Sequence, residues 1–127
     1  MIVADASVLM ASLLGVGPTR DLLSTVQVHV PHLVDTEVAS ALRKYVRVGR
    51  LKAPDGWRLL QTFRWMAVIR HGSFSMLDRV WELRDNLTAY DAAYVALAEA
   101  IDCPLVTADA RISRAPGLRC VVTVVPG

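Results

Sequence analysis

Leu87–Ala100, LTAYDAAYVALAEA, decides how this chain is read. After Asp91 it runs through Ala, Tyr, Val and Leu with no charge until Glu99, helix-forming material that is apolar on nearly every side. A helix of that kind is stable only when buried, so the segment is expected to lie at the centre of the fold. Thr88 stands at its N-cap position and Asp91 follows three residues later, the spacing of a capping box with Asp in place of Glu. Asp91 therefore has two explanations. It is either an acid stabilised by first-turn N–H groups and the helix dipole, or a carboxylate on the rim of a functional site.

Downstream of that helix, Asp102 and Pro104 lead into Leu105–Thr107, a short strand closed by Asp109. Ala110–Ser113 reads as a turn or short helix, Pro116–Gly117 as a turn, and Leu118–Val125 as a last apolar strand. Upstream, Met1–Ala4 reads as a buried strand ending at Asp5, followed by a helix over Ala6–Leu14 with Ser7 in its first turn. Gly15, Gly17 and Pro18 break the chain. Thr19 then caps a short helix through Ser24, and Val26–Val30 is a second strand closed by Pro31. His29 and His32 flank that proline without a Cys or Glu at ligand spacing and read as ordinary structural residues.

Leu33–Gly49 is the clearest amphipathic helix, with Val34, Val38, Ala41, Leu42 and Tyr45 on one stripe and Gly49 as its stop. Asp35 or Thr36 marks its start, and Glu37 falls in the first turn at the margin of the buried face. Pro54 opens a helix expected to reach Met66, Ala67–Arg70 is a short strand, and His71–Ser73 a turn. Another amphipathic helix carries Met76, Leu77, Val80, Trp81 and Leu83 and ends near Asn86. Trp57, Trp65 and Trp81 read as core or interface residues rather than platforms for bases.

Composition bounds the classes to consider. The 127 residues make one expected domain, 1–127, large enough for a real core. Hydrophobic residues make up 54% of the chain and the mean hydropathy is +0.38, more than a solvated monomer requires, which predicts a dimer face or a partner groove. The longest uncharged stretch, Ala6–Thr19, is too short and too rich in Gly and Pro to span a bilayer. The start MIVAD has no basic leader, so a cytoplasmic protein is expected. Cys103 and Cys120 form neither a disulfide framework nor a zinc site and read as reduced core thiols. The net charge is only +2, but Arg43, Lys44, Arg47, Arg50 and Lys52 form a run without acids, and Arg111, Arg114 and Arg119 cluster later. Arg43, Lys44 and Arg47 suit the negative end of their helix as well as they suit a nucleic acid.

Strands alternating with helices imply right-handed crossovers and a mainly parallel sheet in a three-layer α/β/α sandwich. Ligands of such sheets bind beyond the carboxyl ends of the strands at a switch in strand order. Asp5 and Asp109 stand at two such ends, and Glu37 and Asp91 begin helices that can point into the same crevice. Converging carboxylates repel one another unless a cation sits among them, and hard oxygen donors without Cys or His select Mg²⁺ or Mn²⁺. Such an ion suits phosphodiester hydrolysis, with the basic run holding the phosphates.

In this setting IVADASVL, LVDTEVASALRK, LTAYDAAYVALAE and PLVTADARI, taken in order and covering essentially the whole chain, resemble a PIN-domain ribonuclease, specifically a VapC-type toxin. The resemblance implies a PIN-like fold and a metal-binding quartet of Asp5, Glu37, Asp91 and Asp109, with Asp109 as the more variable member. It also implies supporting roles for Ser7 and Thr107. Further implied are RNA cleavage leaving a 5′-phosphate and a 3′-hydroxyl, a homodimer, and inhibition by a VapB-type antitoxin. Arg43, Lys44, Arg47 and Arg50 are the candidate RNA contacts.

Three rival folds fit less well. A response-regulator receiver needs a lysine after a late strand and an acidic pair after the first, and Lys44 and Lys52 are the only lysines. A haloacid-dehalogenase-type phosphatase needs Asp where this chain has Ser7, and a dinucleotide enzyme needs a glycine-rich turn where it has Asp5-Ala6-Ser7. The remaining alternative is a catalytically silent RNA-binding or interaction module of the same fold.

Overall fold

The three-residue run Ile2–Ala4 forms β1, whose side chains are all buried, as the unbroken apolar run requires for a strand covered on both faces. The computed structural model describes residues 1–15 and 17–127. The other strands are β2 (Val28–Pro31), β3 (Val68–His71), β4 (Leu105–Thr107) and β5 (Val122–Val124). They pair in the order β3-β2-β1-β4-β5, and every pairing is parallel.

The helices are α1 (Ala6–Leu13), α2 (Gly17–Thr25), α3 (Leu33–Arg47), α4 (Ala53–Arg64), α5 (Leu77–Glu82), α6 (Ala89–Ala100) and α7 (Ala110–Ser113). From β1 the chain steps outward to β2 and β3 through α1–α4. It then returns past β1 to β4 and β5 through α5–α7. Right-handed connections running in opposite directions put their helices on opposite faces. The packing agrees, since α1 meets α2, α3 and α4, whereas α6 meets α5 and lies on β1, β2 and β4. The three-layer expectation holds, with the sheet wholly rather than mainly parallel.

Every residue from Ala92 to Ala98 of α6 is buried. Leu97, Val95 and Tyr94 join Val3, Leu9, Val30 and Leu105 in the core. Elsewhere several boundaries move. The helix expected at Thr19–Ser24 begins at Gly17, and the Thr19 hydroxyl, instead of capping, donates to the Pro126 carbonyl at 3.2 Å. The last strand is only Val122–Val124, because Leu118–Cys120 approaches α6, where the Arg119 N–H donates to Glu99. A single 3₁₀ turn, Phe74–Met76, precedes a shorter α5 than expected. His71 belongs to β3 and not to a turn, and its Nε2 lies 2.8 Å from Nδ1 of buried His29 on the neighbouring strand. Both cysteines are free, Cys103 buried and Cys120 half-buried. The three tryptophans are exposed, Trp65 by 87%, so only the interface half of their expectation survives.

One side chain ties the later elements together. Arg79 on α5 donates to both Glu99 oxygens on α6, at 2.7 and 3.1 Å, and to the Gly117 carbonyl at 2.7 Å. Glu99 is thereby held below the usual carboxylate range despite its burial. Replacing Arg79 by Met leaves Glu99 without its counter-ion, and chemical denaturation is expected to show a loss of about 1–3 kcal/mol.

Candidate active site

The reversal of strand order at β1 makes β1 and β4 neighbours and opens a crevice beyond their carboxyl ends. Asp5 follows β1 and caps α1, accepting from the Val8 N–H at 3.2 Å. The hydroxyls of Ser7 and Thr107 both donate to its carboxylate. Each hydroxyl is itself fixed, since the Ala108 N–H donates to Ser7 and the Asp109 N–H to Thr107, both at 2.9 Å. Asp5 is only 6% exposed. Burial pushes its carboxyl above the usual range even though the surrounding donors pull it down.

Glu37 lies deeper in α3 than the sequence suggests. The helix starts at Leu33, so Asp35 takes the first turn and pairs with Arg70 at 2.8 Å, while Glu37 sits a full turn in. The dipole explanation, which fades beyond the first turn, no longer accounts for it. The Tyr94 hydroxyl donates to Glu37. Burial raises the Glu37 carboxyl, Tyr94 opposes the rise, and Asp91 and then Asp5 add to it. Tyr94 was read from the sequence as part of an apolar run. Its signal was available, because a tyrosine in a fully buried helix must find a partner for its hydroxyl, and it stands one turn after Asp91.

Asp91 makes the contact that its capping explanation expects. The Thr88 hydroxyl accepts from the Asp91 N–H at 3.1 Å, as an N-cap should. The Asp91 carboxyl is nevertheless raised, first by burial and then by the negative charges of Asp5 and Asp109, with Arg111 partly offsetting them. Asp109 differs from the other three. Arg111 grips it through two N–H groups, 2.8 Å at the shorter contact with Oδ2, and holds it below the usual carboxylate range.

Glu37 thus feels the charge of Asp91 and Asp5, and Asp91 that of Asp5 and Asp109, and hard carboxylate oxygens that repel across a crevice are the donor chemistry a divalent cation satisfies. As the side chains stand, no three carboxylates, imidazoles or thiols among the described residues lie close enough to form a finished metal cage. Glu37 is turned to Tyr94 and Asp109 to Arg111. Of the expected quartet, Asp5, Glu37 and Asp91 have raised carboxyls, whereas Asp109 is paired with Arg111.

The basic run divides in two. Arg43, Lys44 and Arg47 line a groove of about 590 Å³ that begins at Glu37. Arg50 leaves that strip and lies over the ring of Tyr45, at 5.1 Å, in a second groove that reaches Ser7 and Ala108.

Because burial and like charge raise the Asp91 carboxyl in the fold, the native state holds its proton to higher pH than the unfolded chain. Stability then falls as pH rises from the unfolded value through the folded one, and the penalty is complete at neutral pH. Asp91→Asn removes that penalty. Without metal its melting temperature at pH 7 is expected to equal or exceed that of the parent, with the difference closing towards pH 4. Thermal scans across pH check this, and a sharp fall at pH 7 would show that the cap outweighs the repulsion.

Comparison with known proteins places these features in context. The model of the PIN domain family matches residues 2–118. Ribonuclease VapC9 of Mycobacterium tuberculosis is 53% identical over 126 residues, covering 99% of each chain. Ribonuclease VapC1 of the same species is 38% identical over 128 residues, covering 97% of this chain and 96% of that one. The crystal structure of VapBC2 from Rickettsia felis, bound to a promoter DNA fragment, superposes with a TM-score of 0.74 at 15% identity and covers 98% of this chain and 99% of that one, a likeness of fold.

Proposed function

The chain belongs to the PIN-domain family, and from that premise we propose that it is a VapC-type endoribonuclease toxin hydrolysing RNA phosphodiester bonds at a Mg²⁺ or Mn²⁺ site. The observation that carries this reading is the convergence of Asp5, Glu37 and Asp91, three acids from three separate segments whose carboxyls are all raised, first by burial and, for Glu37 and Asp91, also by the charge of neighbouring acids. A capping or first-turn role explains Asp5 and Asp91 singly. It does not explain why the fold tolerates all three in one crevice.

Asp5, Glu37 and Asp91 would hold the cation, with Asp109 joining if Arg111 releases it. When bound, the ion supplies Lewis acidity to a phosphodiester oxygen and makes a water acidic enough to attack at neutral pH. The chain's own residues do the rest. Ser7 and Thr107 lock the Asp5 carboxylate against rotation, and Tyr94 fixes the orientation of Glu37. Arg43, Lys44 and Arg47 lie beside Glu37 where phosphates leading to the cut bond would run.

The exposed side chains Phe74, Trp65 and Trp81, at 89%, 87% and 67%, support protein partners. We assign these partners as a second copy of the chain and a VapB-type antitoxin, in keeping with the toxin–antitoxin complexes among its structural neighbours. No described helix is long and apolar enough to cross a membrane. One observation favours a catalytically silent RNA-binding module instead: among the described residues no three carboxylates close into a metal cage, and Asp109 is paired with Arg111.

Incubation of the purified protein with total cellular RNA in Mg²⁺, Mn²⁺ or EDTA separates the two readings. Discrete metal-dependent cuts, abolished in Asp91→Asn, are expected when new 5′ ends are mapped. Absence of cuts in every metal from folded, antitoxin-free protein would establish the silent module. In a binding series over salt, Arg43→Ala combined with Arg47→Ala is expected to weaken RNA binding and to reduce the slope of log K against log salt by about 1–1.5. An unchanged slope would place the groove away from the RNA.

A further inference from the structure

The end of α3 is closed by Gly49, whose φ of +76° is a left-handed conformation that glycine adopts without strain. The Gly49 N–H donates to the Val46 carbonyl at 3.1 Å and the Arg50 N–H to the Tyr45 carbonyl at 2.9 Å. These two bonds make a Schellman closure, which folds the second residue past the cap back onto the last turn, most often as an apolar contact. Here that residue is Arg50. Its guanidinium carbon lies 5.1 Å from the centre of the Tyr45 ring, so the backbone itself lays a flat cation over an aromatic face.

This stack borders a groove of about 650 Å³ whose opposite side carries Ser7 and Ala108. Ser7 binds Asp5 and receives the Ala108 N–H, so the groove abuts the carboxylate crevice. Met10, Leu14 and Leu51 give it an apolar lining. Ala41 also borders the neighbouring groove of Arg43, Lys44 and Arg47. Two surfaces of different chemistry therefore adjoin the acids, a cationic strip and an apolar slot with a planar guanidinium at its edge. Phosphates need charge alone. An apolar slot beside a flat cation matches the face of a nucleobase, which stacks on aromatic rings and on arginine planes alike.

Resting on the ribonuclease reading above, we infer that the Tyr45–Arg50 stack is a platform for one unpaired nucleobase next to the bond to be cut, while the phosphates follow Arg43, Lys44 and Arg47. A base paired within an A-form helix does not offer its face to such a slot. The substrate is then single-stranded at this position.

The test uses Asp91→Asn protein, which leaves RNA uncut, and two labelled probes in Mg²⁺: a short oligoadenylate and an abasic ribose-phosphate oligomer of equal length. The oligoadenylate is expected to bind more tightly. Arg50→Lys keeps the charge but loses the plane, and should weaken oligoadenylate binding about tenfold while leaving the abasic probe and the salt slope unchanged. Tyr45→Leu, which keeps the apolar packing, should give the same selective loss, and Tyr45→Phe should match the parent. Equal affinity for the two probes, or Arg50→Lys indistinguishable from the parent on both, overturns the platform. If that happens while wild-type protein still cuts cellular RNA, only the platform fails. Wild-type protein that cuts no RNA and binds neither probe refutes the ribonuclease reading as well.

Discussion

The contact between Asp5 and Thr107 joins the carboxyl ends of β1 and β4, and the rest of the crevice is referred to it. The two strands are neighbours only because the chain reverses its direction of travel across the sheet at this point. Their register, Val3 opposite Leu105 and Ala4 opposite Val106, brings the Thr107 hydroxyl to the Asp5 carboxylate. A slip of one residue would turn Thr107 to the other face and leave a buried acid short of a donor. The Ser7 hydroxyl and the Val8 N–H complete its satisfaction. An acid so nearly buried remains tolerable because three donors face it, and it still pays for its charge in a raised pKa.

The same crevice shows how one acid serves two purposes. Asp5 and Asp109 are the N-caps of α1 and α7, and Asp91 is in the first turn of α6 behind the Thr88 cap. N-terminal turns point their free N–H groups toward the carboxyl edge of a parallel sheet, so acids that suit the helices also gather at the mouth of the crevice. The caps reduce the cost of bringing these charges together without removing it, as the raised carboxyls of Asp5 and Asp91 record. Glu37 has no such support from a helix end and relies on Tyr94.

α3 links the acidic centre to its surroundings. Glu37 faces the crevice, Arg43, Lys44 and Arg47 follow along the same helix, and the Gly49 closure returns Arg50 over Tyr45. Within one helix and its closing turn the surface changes from anionic to cationic to aromatic. The cations near the helix end also meet the negative pole of its dipole, so they stabilise α3 whether or not RNA is present.

The sequence by itself determined the alternation of strands and helices, the burial of α6, the N-cap at Thr88 and the placement of Asp5 and Thr107 beside strand ends. These follow from local periodicity and capping chemistry, which act over a few residues. Its ordered motifs also singled out the four acids as candidates. Tertiary structure decided what each side chain touches. The Tyr94–Glu37 bond spans 57 residues and the Asp5–Thr107 bond 102, separations at which spacing carries no information. It moved the helix start to Leu33, removing the dipole explanation for Glu37, and it gave Asp109 to Arg111 and Arg50 to Tyr45. Long polar side chains have several partners within reach, and their choice is fixed only when packing has set which groups lie near and which are shielded from water.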